Sequence, residues 1–98
     1  MQNFDTYLNN IIATQNNDIF IINVEDIICL YSENKNNYCR TINGTYKIKY
    51  TLSELENKLS PKNFIRISNS CIANFKQVEC FNNEIVGTIK IKYKDGNV

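Results

Sequence analysis

Ninety-eight residues, 43% of them apolar, suffice for one compact domain with a single modest core and leave no room for a second. The chain has no histidine, and Gly44, Gly87 and Gly96 stand isolated, so the commonest general base, the commonest zinc ligand and a glycine-rich phosphate loop are all missing; the chain is read as non-enzymatic, with no cofactor and no metal. A net charge of +1 conceals an asymmetry, because residues 1–34 carry five acids and no base while residues 35–94 carry all eleven bases against four acids, which draws a polyanion to the second part.

Phe4, Leu8, Ile11 and Ile12 recur at helical spacing, which predicts a short amphipathic helix over 3–13, or a linker, within a segment 1–16 that precedes the domain proper. After a polar break at 15–18, residues 19–22 and 27–31 read as two largely buried strands joined by a compact turn at 24–26. Residues 32–37 are polar throughout and read as a surface loop. Asn43-Gly44 is a hairpin signal linking a strand at 38–41 to one at 45–49. Thr51 and Glu54 have the spacing of a capping box, and Leu52, Leu55 and Leu59 share one face, so a helix is expected here, ended by Ser60-Pro61. Residues 64–67 read as a strand, interrupted by Ser68-Asn69-Ser70 before an apolar turn at 71–73. Strands at 78–81 and 88–93 follow, the second in strict alternation. Residues 94–97 read as a hairpin turn, which normally leads into a partner strand; the chain is expected to be cut short at its C-terminus and to lack its last strand.

No run approaches the roughly 18 to 20 apolar residues that span a bilayer, and the first five residues lack a basic leader region, so a soluble, cytoplasmic protein without membrane contact is expected. Cys29, Cys39, Cys71 and Cys80 contain no C-x-x-C pair and each lies in or beside an apolar run. They read as small, reduced core residues.

Four segments together carry a resemblance. They are Ile22-x-Val24-Glu25-Asp26-Ile27-Ile28-x-Leu30-Tyr31-Ser32; Asn37-Tyr38; Thr51-Leu52-Ser53-Glu54-Leu55-Glu56-x-x-Leu59; and Pro61-x-x-Phe64-Ile65-Arg66-Ile67-Ser68-Asn69-Ser70-Cys71-Ile72-Ala73-Asn74. In this order they closely resemble the LytTR domain of bacterial response regulators and related transcription factors, over about residues 18–98. The stretch from Phe64 to Asn74 is the most specific, and Ser68 departs from it by standing where the family often has histidine.

The resemblance implies a mainly β fold, a LytTR-like arrangement of small antiparallel sheets with one short helix, occupying 17–98. It implies sequence-specific binding of duplex DNA as the output domain of a bacterial transcription regulator. Loops would enter successive major grooves at paired direct repeats in promoters, where a second copy pairs with the first on DNA. Asn37 falls in the loop that follows the second strand, Asn69 with its neighbour Ser68 falls in the second contacting segment, and a third contact expected from an arginine lies past the end of this sequence. The chemistry agrees, since an asparagine amide matches the adenine edge in the major groove. Lys35, Arg40 and Arg66 are the candidates for phosphate contacts, with Lys62 and Lys76 behind them. Arg66 has a structural alternative in pairing with Glu54 or Glu56, and Asn69 has one in capping the turn at Cys71. Lys47, Lys49, Lys90 and Lys92 read as solvated strand faces, and Tyr31, Tyr38, Tyr46 and Phe64 as core. The alternative function is a non-enzymatic protein-interaction module of the same fold that does not bind DNA.

Overall fold

Short runs rich in isoleucine and aromatic residues recur between polar turns, and strands dominate accordingly. The computed structural model describes residues 7–85 and 88–96. Its strands are β1 (Asn10–Gln15), β2 (Asp18–Asn23), β3 (Ile27–Glu33), β4 (Asn36–Thr41), β5 (Gly44–Ile48), β6 (Phe64–Ser68), β7 (Cys71–Asn74), β8 (Val78–Ile85) and β9 (Thr88–Tyr93), with one α-helix, α1 (Leu52–Lys58). The first seven strands form one sheet in the order β2-β1-β5-β4-β3-β7-β6, and β8 pairs with β9 in a separate hairpin. Every pairing is antiparallel. This is the mainly β architecture with one short helix that the resemblance implies.

Several local expectations give way to long-range pairing. From Asn10 onward the segment expected as a helix is β1, hydrogen-bonded to β2 on one side and to β5 on the other; residues 3–6 of that expectation lie outside the described residues. Ile11 and Ala13 are buried while Ile12 faces out, so the operative period is two. β2 is not largely buried, because it is an edge strand of the sheet, with Ile19 and Ile21 each more than 70% exposed. The expected loop at 32–37 is a tight hairpin instead. β3 and β4 pair as far as Glu33 and Asn36, and Asn34 and Lys35, at φ 52° and 67°, make the two-residue turn whose twist suits a hairpin. Asn16 and Asn17, at φ 53° and 71°, turn β1 into β2 in the same way. Thr41 pairs with Gly44, so the link between β4 and β5 is Ile42-Asn43, one residue earlier than expected, and Gly44 at φ 140° opens β5. Residues 71–73 belong to β7 rather than to a turn, since β3 and β6 pair with them from both sides.

Around β3 and β7 both faces of the sheet are covered, by different elements. On one face Leu52 and Leu55 of α1, with Leu59 just past its end, are buried in one cluster with Ile11, Leu30 and Ile72. The expected capping box closes that helix: Thr51 Oγ1 accepts from the Glu54 N–H at 3.0 Å and Glu54 Oε1 accepts from the Thr51 N–H at 3.0 Å. That backbone hydrogen bond holds the Glu54 carboxyl below its ordinary pKa. On the other face Tyr93 and Val78 from the β8–β9 hairpin pack over Ile28, Cys29 and Ala73. Arg40 fastens the hairpin, reaching Asp95 Oδ2 at 2.8 Å with its guanidinium carbon 4.9 Å from the Tyr93 ring centre. Replacing Arg40 by alanine is expected to cost about 1 kcal/mol of stability and to raise amide exchange in β9 above that in β3. Equal exchange in both strands would show that the hairpin does not depend on Arg40.

Cys29 and Cys39 are buried and Cys71 half-buried, but Cys80 is exposed, because the register shift between Val78 and Cys80 turns it away from the sheet. A hydrogen bond from Cys71, opposed by burial and aided by Arg40, pulls the Cys29 thiol below its ordinary range. Burial pushes Cys39 up to about 12. Among the described residues no helix is long and apolar enough to cross a membrane.

Candidate nucleic-acid interface

Antiparallel pairing brings two turns together at one end of the sheet. β3 ends in the Asn34-Lys35 turn and pairs along its other edge with β7, which begins just after Asn69-Ser70, and the Ser32 N–H donates to the Ser70 carbonyl at 2.9 Å. Lys35, Ser68 and Asn69 are all exposed here. Lys49, which sequence reasoning assigned to a strand face, lies one residue past the end of β5 at this same end, beside the Ile48–Asn37 pair. Only the register shows this.

Asn37 is half-buried at the base of the first turn, and its amide is already engaged. Its Nδ2 donates to the Tyr50 carbonyl at 2.8 Å and its Oδ1 accepts from the Ser32 hydroxyl. These bonds tie β4 both to β3 and to the segment between β5 and α1. The turn that carries Lys35 is thereby held in place, while one Asn37 N–H is left over.

The second turn is held by Arg66. Its Nε donates to the Ser68 carbonyl at 3.1 Å, one terminal nitrogen to the Asn69 carbonyl at 2.7 Å, and the other to Glu56 Oε1 at 3.2 Å and Ser53 Oγ at 3.5 Å. The planar fork therefore braces two successive carbonyls of the turn against α1. Of the two carboxylates that the sequence offered, Glu56 is the one paired. Ser68 Oγ accepts from the Ser70 N–H at 3.2 Å and closes the turn from inside. Among the described residues the Asn69 side-chain amide forms no hydrogen bond, and no cap on Cys71 is present. It stands exposed on a braced backbone.

The remaining candidates are not brought here. Arg40 lies toward the far end of β4 and is committed to Asp95 and Tyr93. Lys62 precedes β6 and Lys76 follows β7, which places both at the opposite end of those strands from the turn. The described end thus gathers two exposed lysines, one unengaged asparagine amide and two serines around braced turns.

A family model described as the LytTr DNA-binding domain matches residues 17–98. The chain is 42% identical over 80 residues to an uncharacterised HTH-type transcriptional regulator of Staphylococcus aureus strain NCTC 8325, with 82% of this chain and 54% of that protein covered. A regulator of the same description from the bovine strain RF122 is 40% identical over the same length. The chain spans about half the length of these curated relatives. Among solved structures it is similar to the LytTr DNA-binding domain of a Bacillus cereus protein described as a methyl-accepting/DNA response regulator, with a TM-score of 0.87 at 20% identity, covering 91% of this chain and 82% of that one.

Proposed function

Because the chain belongs to the LytTr DNA-binding domain family, we propose that it binds duplex DNA sequence-specifically and serves transcription regulation through the two turns at one end of its sheet. The observation that carries this reading is the pairing of an exposed, unengaged Asn69 amide with a turn that Arg66 holds rigid, beside the Lys35 turn. A side chain that reads base edges must be free to bond outward while its backbone stays fixed. Lys35 and Lys49 supply phosphate contacts on either side. Asn37 and Arg66 act by holding the turns, and Ser68 shapes the second. The two adjacent turns enter the major groove together, and paired direct repeats accommodate two copies on one face of the duplex.

The test is selection of a preferred duplex from a randomised pool by the domain, followed by titration of that duplex and a scrambled one at two salt concentrations. Preference for the selected duplex at both salts is the expected result, and its absence overturns the reading. Lys35→Ala should weaken both duplexes alike and lower the slope of log affinity against log salt by about one, because a phosphate contact carries charge but no base information. A loss confined to the selected duplex would make Lys35 a base contact instead. If no duplex binds even at low salt, the alternative is a protein-interaction module of the same fold, for which the outward-facing Ile12, Ile19 and Ile21 are the supporting observation.

A further inference from the structure

β6 carries one residue more than its partner at the candidate interface. Arg66 pairs with Ile72 and Ser68 with Cys71, so Ile67 is the extra residue of a β-bulge and has no partner of its own in β7. By simple alternation from Ile65 it would turn toward the strand's apolar side, yet it is 39% exposed. Its surroundings are polar. Ile67 shares an open hollow of about 430 Å³ with Glu56, Arg66, Ser68 and Asn69. The backbone that follows it is pinned by the Arg66 guanidinium through the Ser68 and Asn69 carbonyls. The bulge thus places a branched apolar group, on fixed backbone, beside the amide proposed to read a base.

We infer that Ile67 is a specificity-determining residue that packs on the C5-methyl of a thymine in the major groove, next to the base pair engaged by Asn69. The thymine methyl is the one apolar feature of the major-groove edge, and it marks an A·T pair whose adenine an asparagine amide matches. Two residues of chain reach at most about 7 Å, and base pairs rise about 3.4 Å, so the methyl belongs to the Asn69 pair or to one within two steps of it. This inference rests on the DNA-binding reading above.

A double-mutant cycle between protein and DNA tests it. Wild type and Ile67→Ala are titrated against the duplex that wild type selects from a randomised pool, and against versions in which each thymine in turn is replaced by deoxyuridine, which differs by that methyl alone. At one position the replacement is expected to weaken wild type about four-fold, the worth of one buried methyl. Ile67→Ala should lose a similar factor on the thymine duplex and nothing further on the deoxyuridine duplex. Since Ile67 is exposed, the melting temperature should stay at the wild-type value, which separates a lost contact from lost folding. Losses that multiply at every thymine, or an Ile67→Ala variant that binds like wild type, overturn this inference and leave the DNA-binding reading standing. A pool from which wild type selects nothing overturns both.

Discussion

Asn74→Ala is expected to lower the unfolding free energy by about 3 kcal/mol, which for a domain of this length moves the melting temperature down by roughly 10 to 20 °C. Asn74 is 1% exposed, and both ends of its amide are used. Its Nδ2 donates to the Ile27 carbonyl at 2.7 Å, and its Oδ1 accepts from the Lys76 N–H at 3.0 Å. The first bond joins the end of β7 to the start of β3, 47 residues away, and the second closes the 3₁₀ turn Phe75–Gln77 that leads into β8. Alanine leaves a buried carbonyl and a partly buried amide N–H without partners, and the desolvation penalty of each falls on the folded state alone. Asn74→Asp keeps the acceptor for Lys76 but loses the donor to Ile27 and adds a buried charge, so it should be at least as destabilising. Chemical denaturation of the three proteins decides the matter: a loss below about 1 kcal/mol for alanine would mean that solvent replaces the amide and that the clasp is dispensable.

Asn69→Ala should do the reverse, leaving the melting temperature at the wild-type value while specific binding falls by about 1–3 kcal/mol, or roughly 5- to 150-fold. No internal hydrogen bond of its side chain is among those of the described residues, so the fold has none to lose, and Arg66 holds the Asn69 carbonyl whichever side chain follows. A bidentate contact to a base edge carries the whole difference between the right and wrong sequence at that position, so binding to a scrambled duplex should barely change. The contrast with Lys35→Ala on the same pair of duplexes separates a base contact from a phosphate contact. If Asn69→Ala lowers the melting temperature and weakens both duplexes equally, its side chain is structural and its assignment fails.

Arg66 and Arg40 show why residue type and position alone did not settle function. Both were legible as exposed-strand arginines in a basic segment, and both fit phosphate contact on that ground. In the fold Arg66 spends its donors on Ser68, Asn69, Glu56 and Ser53, and Arg40 on Asp95, 55 residues away. Glu56 was nameable as a partner because α1 and β6 lie close in sequence. Asp95 was not, because nothing local ties β4 to the turn after β9.

What the sequence determined by itself is what depends on a few neighbouring residues: the Thr51–Glu54 capping box and its leucine face, the hairpin link before Gly44 to within one residue, the strand at 88–93, and the motif order from Ile22 to Asn74 by which the family was recognisable. Local hydrogen bonds and side-chain period decide such features, and both are written in consecutive residues. Only the tertiary structure decided that residues 10–13 form a strand, since β5, which completes its pairing, begins 29 residues after that strand ends. It alone placed the Lys35 and Asn69 turns side by side, through β3–β7 pairing across some 40 residues, and turned Ile67 outward through an unmatched position in β6. An alternating pattern states which residues share a face of a strand. Which face is covered, which edge is paired and where the register slips are properties of the partner strand, and a distant partner leaves no mark in the segment that it completes.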